Sequence, residues 1–537
     1  MSNFYLRTES IKPEEIMDLS VLNNSDNEII SALLSPEPCL IEGSRGTGKS
    51  FLMRVAEIKI ENEIKDSLAV FISFNISSLI NTTDPLQFYH WMLSKTLKAL
   101  LNNLRKRGMV ISIHSANLLS NDGQESEEEI ERDLKSIIKD FENSYKGSDN
   151  VNINALPDIE DVKEAIESIC KENNLNRIYF FFDEAAHVFR PEQQRQFFSL
   201  YKDLRSPYIT CNGAIYPGTT HFGDSFEPTH DCIFKRLDRN IKDTDYISYF
   251  KNIVFNQADE SIKSSISNNL GLFITLALCA GGNPRMILKT IQDLSKFNTS
   301  SVNQLIKEFY RAQIWSEHTE LGEKYKGHKI LIDWGRDFLE NIVITAIQRY
   351  NESKKEKTQN ESTIYFWVHK DAPETVKEAL RLITYTGIIR KTDSSVRGAR
   401  SELGTRFEVK YGCILALQSN PTNDSKELFD NLTIRKFPEF GKSHSSYETI
   451  TSLKNTILGD ENYKESLENL LQKSISVLEL LTTWQKEKLN EAGIITLEDL
   501  YSKSEAELIE KIYQVGPVRA RIMKNAANAE LLEYLSG

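Results

Sequence analysis

The sequence has few cysteines, no long uncharged apolar run and no excess of positive charge. Its six cysteines among 537 residues lack the close pairs that metal-binding and redox motifs use. The first residues pass directly into polar sequence, so neither a signal peptide nor a membrane span is predicted. The formal net charge of −12 argues against wholesale coating of nucleic acid, and any such contact would need local basic patches. These features predict a cytoplasmic protein with reduced thiols and no membrane partner.

The chain is too long for one hydrophobic core, because 537 residues correspond to roughly three or four domains. In its first part, apolar strand patterns alternate with helical patterns. Strands are predicted at 39–42, 68–74, 177–184 and 208–215. This alternation favours an α/β domain with a parallel, doubly wound sheet.

Eight residues directly after the first strand match the phosphate-loop pattern in full, and a helical pattern follows them. Glycines let successive N–H groups face phosphates, Lys49 reaches the terminal phosphates, and the Ser50 hydroxyl can ligate Mg²⁺. The predicted nucleotide-binding residues are Gly43, Ser44, Arg45, Gly46, Thr47, Gly48, Lys49 and Ser50. The alternative, a glycine-rich turn that fits by chance, is disfavoured by the strand and helix on either side.

A second acidic motif follows the strand at 177–184, whose continuous apolar and aromatic run predicts a buried central strand. Its last two residues, Asp183 and Glu184, would lie at the carboxyl end of the strand, where open α/β sheets bind ligands. Asp183 would orient the Mg²⁺ shell, and Glu184 would polarise the attacking water. Two solvated acids at a strand end are the alternative. With the phosphate loop upstream, the motif predicts ATP hydrolysis.

This layout resembles the AAA+ and STAND branch of phosphate-loop ATPases, and it is most similar to the origin-recognition replication initiators and their bacterial relatives. The resemblance implies a polar sensor after the fourth strand, with Thr219 as first choice and Asn212 and Thr220 as rivals. It also implies an arginine supplied to a neighbouring subunit's nucleotide, for which Arg236 and Arg239 are the candidates. Surface salt bridging is an equally good interpretation of both arginines. A homo-oligomer is therefore expected.

The same resemblance implies a helical lid after the core. Residues 245–296 show several helical patterns, and the segment from Gly281 to Arg285 resembles a lid motif in which an arginine contacts the nucleotide. Gly282 and Pro284 suit a helix start. Arg285 would then point toward the nucleotide, and an ordinary helix-start arginine is the alternative.

Beyond the lid, a helix at 373–386 precedes two short strand patterns joined by a polar loop, which resembles a winged-helix domain. The basic residues of this region are Arg390, Lys391, Arg397, Arg400 and Arg406. Such a wing can lie against DNA phosphates, although in STAND proteins it often serves as a packing module.

The C-terminal segments at 489–500 and 512–522 resemble paired helix-hairpin-helix motifs, which grip phosphates through backbone N–H groups. The predicted nucleic-acid contacts are Gly516, Arg519, Arg521 and Lys524. Pro517 removes one backbone donor, and acids slightly outnumber bases, so protein docking is a real alternative.

The predicted fold is α/β, with a phosphate-loop AAA+ core that contains a parallel sheet and is followed by lid, winged-helix and hairpin domains. The predicted bounds are 1–240 for the ATPase core, 241–315 for the helical lid, 316–420 for the winged-helix-like domain, 421–469 for a linker and helical segment, and 470–537 for the helix-hairpin-helix domain.

The predicted function is an ATP-binding and ATP-hydrolysing molecular switch that associates with DNA, with a separate effector protein, or with both. No nuclease, protease or deaminase motif is evident in the sequence, so any toxic activity would need a partner protein. Bacterial antiphage defence is the predicted setting. The alternative is an initiator-like or mobile-element ATPase that loads partners on DNA.

Overall fold

A computed structural model describes residues 4–74, 85–119, 127–143, 156–186, 191–218, 222, 226–324, 328–357, 360–450, 471–478 and 481–536. The chain divides into two compact units, Met1–Leu305 and Ile306–Gly537. Among the helices of the described ranges, none combines the length and apolar character that a membrane span requires.

The first unit contains a five-stranded parallel sheet. Its strands are β1 Cys39–Glu42, β2 Ser67–Ser73, β3 Arg177–Ala186, β4 Ile209–Ile215 and β5 Ile233–Arg236. They are ordered β2-β3-β4-β1-β5, and each neighbouring pair is parallel. The predicted α/β class with a parallel sheet is therefore confirmed.

Helices flank this sheet and continue beyond it. They are α1 Asn24–Leu33, α2 Lys49–Glu63, α3 Pro85–Lys106, α4 Ile113–Leu119, α5 Glu127–Asn143, α6 Ile159–Glu172, α7 Pro191–Asp203, α8 Pro228–Asp231, α9 Tyr246–Phe255, α10 Glu260–Asn268, α11 Leu270–Ala280, α12 Pro284–Asp293 and α13 Thr299–Glu308. We call α9 to α12 the lid helices.

Successive residues of β3 face opposite sides of the sheet. Phe180 and Phe182 pack with residues of α3, α6 and α7 in one core, whereas Tyr179 and Phe181 pack with α1 and α2 in a second core. Because both faces are covered, the strand is apolar at successive positions, as its continuous apolar run predicts. The carboxyl ends of β1, β3 and β4 therefore meet at one edge of a fully covered sheet.

The end of β3 differs from the prediction. The strand does not stop at the two acids but continues to Ala186, with a register shift against β4 between Phe182 and Ala186. Within this irregular stretch Glu184 has a φ of 53°, in the left-handed region. Such a bulge bends the strand and redirects side chains, which is common beside active sites.

The second unit contains a four-stranded sheet ordered β7-β8-β6-β9. Its strands are β6 Tyr365–His369, β7 Ile389–Arg397, β8 Leu403–Val409 and β9 Glu439–Phe440. The β6–β8 and β7–β8 pairs are antiparallel, and β9 is parallel to β6. The helix and strand pair come in the predicted order, while their assignment as a winged helix stays a prediction.

Helices make up most of the remainder of this unit. They are α14 Ile314–Lys324, α15 Lys329–Asp337, α16 Ile344–Glu356, α17 Glu374–Thr386, α18 Tyr411–Leu415, α19 Pro421–Asp430, α20 Thr483–Glu491, α21 Leu497–Ser502, α22 Glu505–Lys511 and α23 Pro517–Ser536. Two π-helical segments, Phe309–Gln313 and Phe338–Val343, precede α14 and α16.

The last four helices share one apolar core, and α22 packs against α23. Three of these helices begin with a capping box, at Thr482, Thr496 and Ser504. Such boxes satisfy the N–H groups of short helices that have little intrinsic stability. The helix-hairpin-helix assignment itself stays a prediction, and residues 451–470 of the predicted linker region lie outside the described residues.

Candidate functional site

The phosphate loop, residues 43–50, joins β1 to α2. Gly46 and Gly48 have φ angles of 86° and 102°, a region that glycine adopts without steric cost. Thr47 closes the turn, since its N–H and its hydroxyl donate to the Ser44 carbonyl at 3.4 and 2.9 Å. Because α2 begins at Lys49, the unpaired N–H groups of its first turn belong to the same loop. The local geometry is that of an anion-binding helix start.

The Lys49 side chain is buried in this loop. Its Nζ donates to the carbonyl oxygens of Gly43 at 2.7 Å and Ser44 at 3.2 Å, and it lies 4.3 Å from the ring centroid of Tyr216. Burial lowers the pKa of Lys49 to about 8, an effect that Asp183 partly opposes and that Arg285 reinforces. The buried Lys49 ammonium is costly without a counter-charge, and an anion bound in the loop would form an ion pair with it.

The two acids after β3 lie in different environments. Asp183 is buried, and its burial raises the pKa of the carboxyl group, while a hydrogen bond from the Ser50 side chain acts in the opposite direction. The Glu184 N–H donates to Asp183 Oδ1 at 3.0 Å, and Tyr216 Oη donates to Glu184 Oε1 at 3.4 Å. The fold therefore brings the acid pair to the phosphate loop, as predicted from the carboxyl ends of the strands.

The lid motif also contacts the phosphate loop. Asn283 caps α12 through its side-chain oxygen, and its Nδ2 donates to the Arg45 carbonyl at 2.8 Å. Arg285 lies in the first turn of α12, where its Nε donates to the Leu6 carbonyl at 2.8 Å. Burial lowers the pKa of Arg285, and the nearby Arg45 adds to that effect. Two further cationic groups, Arg45 of the loop itself and Arg285 of α12, thus lie near Lys49.

Two of these contacts were not anticipated from the sequence. Asn283 lies within the lid motif and was not predicted to reach the loop, although an Asn directly before a first-turn proline is a recognisable N-cap signal. Tyr216, the residue that follows β4, contacts both Lys49 and Glu184. No local pattern marks such a tyrosine, because its position depends on how β4 lies between β3 and β1.

The two predicted finger arginines have different surroundings. Arg236 ends the edge strand β5, its side chain is 52 % exposed, and its Nε lies 3.2 Å from Glu42 Oε2. Arg239 is 5 % exposed, and it donates to Asp26 Oδ1 and to the Thr47 carbonyl, both at 2.7 Å. A guanidinium buried in its own subunit cannot reach a neighbour, so the geometry disagrees with the predicted finger role of Arg239.

Of the three sensor candidates, Asn212 is the one within the described residues. Asn212 is fully buried at the amino end of its pairing with β1, where its Nδ2 donates to the Leu33 carbonyl and its Oδ1 accepts from the Cys39 N–H. That amide ties the sheet to α1, away from the carboxyl ends of the strands. Thr219 and Thr220 lie outside the described residues.

The residues present fit a Mg²⁺ ion that is shared with a nucleotide. Ser50 and Asp183 are hydrogen-bonded at the mouth of the loop, which places one hydroxyl and one carboxylate together. Mg²⁺ in nucleotide sites takes few protein ligands and completes its shell with phosphates and water. Within the described ranges, no group of three or more His, Cys, Asp or Glu side chains is arranged to hold a metal ion.

The three basic residues among the predicted nucleic-acid contacts have partners within the chain. Arg519 donates to the Gln514 carbonyl at 2.7 Å, and its guanidinium lies 4.6 Å from the Trp484 ring centroid. Arg521 forms ion pairs with Glu505 and Asp371. Lys524 donates to the Tyr501 carbonyl, and its ammonium lies over the Tyr501 ring. Burial lowers the pKa of Lys524 to about 8. Each of these three side chains therefore has partners within the chain.

The turn at Gly516 is open, because a Cβ placed there would meet no atom within 4 Å. Two apolar residues close to it in sequence are largely exposed, Tyr513 at 79 % and Val518 at 72 %.

None of the curated proteins compared with the chain matches it. The family model described as ORC-CDC6-like matches residues 4–370, which is more than half of the chain. The matched range includes the phosphate loop, the acid pair and the lid helices. The chain therefore belongs to the ORC-CDC6-like family, and it has the AAA+ ATPase type of core that this family implies.

Proposed function

We propose that this protein binds and hydrolyses ATP with Mg²⁺, and that its nucleotide state switches its association with DNA, with a partner protein and with other copies of itself. The observation that carries the proposal is the Lys49 ammonium, which is buried against two loop carbonyls with its pKa lowered to about 8. A terminal phosphate would supply a direct counter-charge. Arg45 of the loop and Arg285 of α12 both lie near Lys49, and this concentration of positive charge supports a polyanionic ligand rather than a single phosphate.

Each group of the site has a distinct role in this proposal. The loop N–H groups and Lys49 hold the phosphates, and the Tyr216 ring covers the ammonium. Ser50 and Asp183 would hold Mg²⁺, which neutralises developing charge on the phosphates when bound. Glu184, turned by its left-handed backbone and contacted by the Tyr216 hydroxyl, would orient the attacking water.

The self-association part of the proposal rests on Arg236. Its guanidinium is half exposed at the end of edge strand β5, beside the carboxyl edge where the nucleotide would lie. A second copy placed against this edge could receive the arginine at its own nucleotide. An arginine supplied in trans increases phosphoryl-transfer rates strongly, so turnover would then depend on assembly.

The DNA and effector parts of the proposal are assigned to different surfaces of the second unit. Arg397 and Arg400 are exposed at the turn between β7 and β8, where they could contact phosphates. Arg397 and Arg519 each donate to a nearby carbonyl, but Arg521 pairs with Glu505, and the hairpin turn exposes Tyr513 and Val518. We therefore propose DNA contact at the β7–β8 turn and partner-protein contact at the second hairpin.

We propose bacterial antiphage defence in the cytoplasm as the setting, with an initiator-like ATPase that loads partners on DNA as the alternative. The described cysteines are all free thiols, which suits a reducing compartment. Both settings require the same ATPase core. A phage challenge of cells that carry the wild-type or the Glu184→Gln protein distinguishes them, because only the defence setting predicts that the substitution removes protection.

The proposed chemistry is tested by phosphate release and nucleotide binding on the full chain. Lys49→Ala should abolish ATP binding, whereas Glu184→Gln should keep binding and lower turnover by roughly a factor of 100 or more. Glu63→Gln, at the exposed end of α2, is the matched control and should change neither quantity. Normal hydrolysis by the Glu184 variant would refute the assigned base. A wild-type chain that neither binds nor hydrolyses ATP would refute the proposal.

A further inference from the structure

Three successive carbonyl groups of the phosphate loop accept hydrogen bonds from donors outside the loop. The donors belong to α12, to its cap, and to the segment between β5 and the lid helices. The pairs are Arg45 O with Asn283 Nδ2 at 2.8 Å, Gly46 O with the Arg285 N–H at 3.4 Å, and Thr47 O with Arg239 Nη1 at 2.7 Å.

These bonds determine where the loop N–H groups point. The described peptide bonds are all trans, so each carbonyl and the N–H that follows it point in opposite directions. Holding the Arg45 and Thr47 carbonyls toward the lid side therefore turns the N–H groups of Gly46 and Gly48 toward the inside of the loop. Those are the groups that would face the phosphates of a nucleotide.

Arg239 is itself held firmly. Its Nη2 pairs with Asp26 Oδ1 at 2.7 Å, and Asp26 belongs to the capping box at the start of α1. The guanidinium also lies 5.0 Å from the Tyr249 ring centroid of α9. A buried ion pair of this kind is costly to break, because one partner would be left as an uncompensated charge. Arg239 thus connects the loop with α1 and with the first lid helix.

The lid motif and the loop lie in close contact at two glycines. A Cβ added at Gly282 would lie 2.6 Å from the Arg239 carbonyl oxygen, and one at Gly46 would lie 2.9 Å from Asn283 Oδ1. Both glycines have positive φ angles. The close approach of the two segments thus depends on glycine at two positions.

We propose that Arg239 and Asn283 are positioning residues that orient the phosphate-loop amides before any nucleotide arrives. The lid helices then control the phosphate grip directly through the loop backbone, and lid displacement loosens the loop itself. This inference rests on the proposed function in one respect, namely that the ligand of the loop is a nucleoside triphosphate. The coupling itself is a property of the nucleotide-free chain.

The test uses the full chain with Asn283→Ser, which keeps a helix cap and neutrality but is too short to reach the Arg45 carbonyl. Arg239→Lys keeps the charge of Arg239 but can satisfy fewer of its bonds. The matched control is Asp259→Ser at the cap of α10, another lid helix. Two quantities are measured: the dissociation constant of a fluorescent ATP analogue with Mg²⁺, and amide hydrogen exchange of residues 43–56 without nucleotide.

We expect Asn283→Ser and Arg239→Lys to weaken analogue binding about tenfold each, and to make exchange in residues 43–56 roughly fivefold faster. The control should leave both quantities unchanged. The variants should still bind one analogue molecule per chain. A change that only destabilised the fold would lower the fraction of chains that bind, and it would leave the affinity of the folded chains unchanged. A further variant, Arg239→Gln, removes the charge as well, so its affinity and its exchange rate should differ from wild type more than those of Arg239→Lys.

Unchanged exchange in both variants would overturn the inference, as would unchanged affinity in a chain that binds the analogue. Absence of binding by the wild-type chain would instead refute the proposed function. In that case the exchange measurement on nucleotide-free protein still decides whether lid and loop are coupled.

Discussion

Titration of Lys49 should control nucleotide affinity at alkaline pH. In the free protein, burial lowers the pKa of Lys49 to about 8, with Arg285 and Arg45 acting in the same direction and Asp183 and Glu184 opposing them. A bound triphosphate adds anionic partners at the ammonium and therefore raises its pKa. Between these two pKa values, binding must be accompanied by proton uptake.

The expected change in affinity follows from the free-protein pKa. At pH 9 about one tenth of the free protein carries a charged Lys49, so the affinity for ATP should be about tenfold lower than at pH 7, or about 1.4 kcal/mol.

The free energy of unfolding should instead increase as the pH rises. The folded pKa lies below the unfolded value of 10.5, so the charged form costs roughly 3 kcal/mol below pH 8. That cost disappears as the pH rises from about 8 to 10.5.

The assay is equilibrium binding of a fluorescent ATP analogue from pH 7.5 to 9.5, with calorimetry in two buffers of different ionisation enthalpy to count protons. Lys49→Arg is the control, because a guanidinium stays charged throughout and its affinity, whatever its absolute value, should not depend on pH in this range. A pH-independent wild-type affinity without proton uptake would refute the argument that Lys49 is desolvated in the free loop.

Three further outcomes test the assigned surfaces. The specific ATPase activity should rise with protein concentration, and Arg236→Ala should abolish that rise; equal activity from dilute to concentrated wild-type protein would exclude a finger in trans. Charge reversal of Arg397 and Arg400 in the full chain should reduce the slope of log DNA affinity against log salt by about 0.9 for each phosphate that is no longer neutralised. Arg519→Glu should leave that slope unchanged, and the opposite pattern in a DNA titration would move the DNA contact to the hairpins.

Features that depend on residues close together in the sequence could be predicted from it. The phosphate loop follows from glycines that must adopt positive φ angles between a strand and a helix. The β3 strand follows from its continuous apolar run, since both of its faces are covered by helices. The acid pair then lies near the loop because parallel strands end at one edge of the sheet.

The roles of Arg236 and Arg239 could not be predicted in the same way. They are three residues apart and chemically identical, yet one is half exposed at the end of a strand and the other is buried. Nothing local distinguishes them, because burial of Arg239 depends on Asp26, Thr47 and the ring of Tyr249, which come from distant parts of the chain.

The sequence by itself thus determined the phosphate loop, whereas the tertiary structure decided which groups outside the loop hold its carbonyls. Residue types at short spacing suffice to create a phosphate loop, since backbone dihedrals and helix starts are local properties. Which outside groups hold the Arg45 and Thr47 carbonyls depends on long-range packing of the lid helices and α1 against the loop. Hydrogen bonds between distant segments form only where the fold has already brought their partners together, so no local pattern can reveal them.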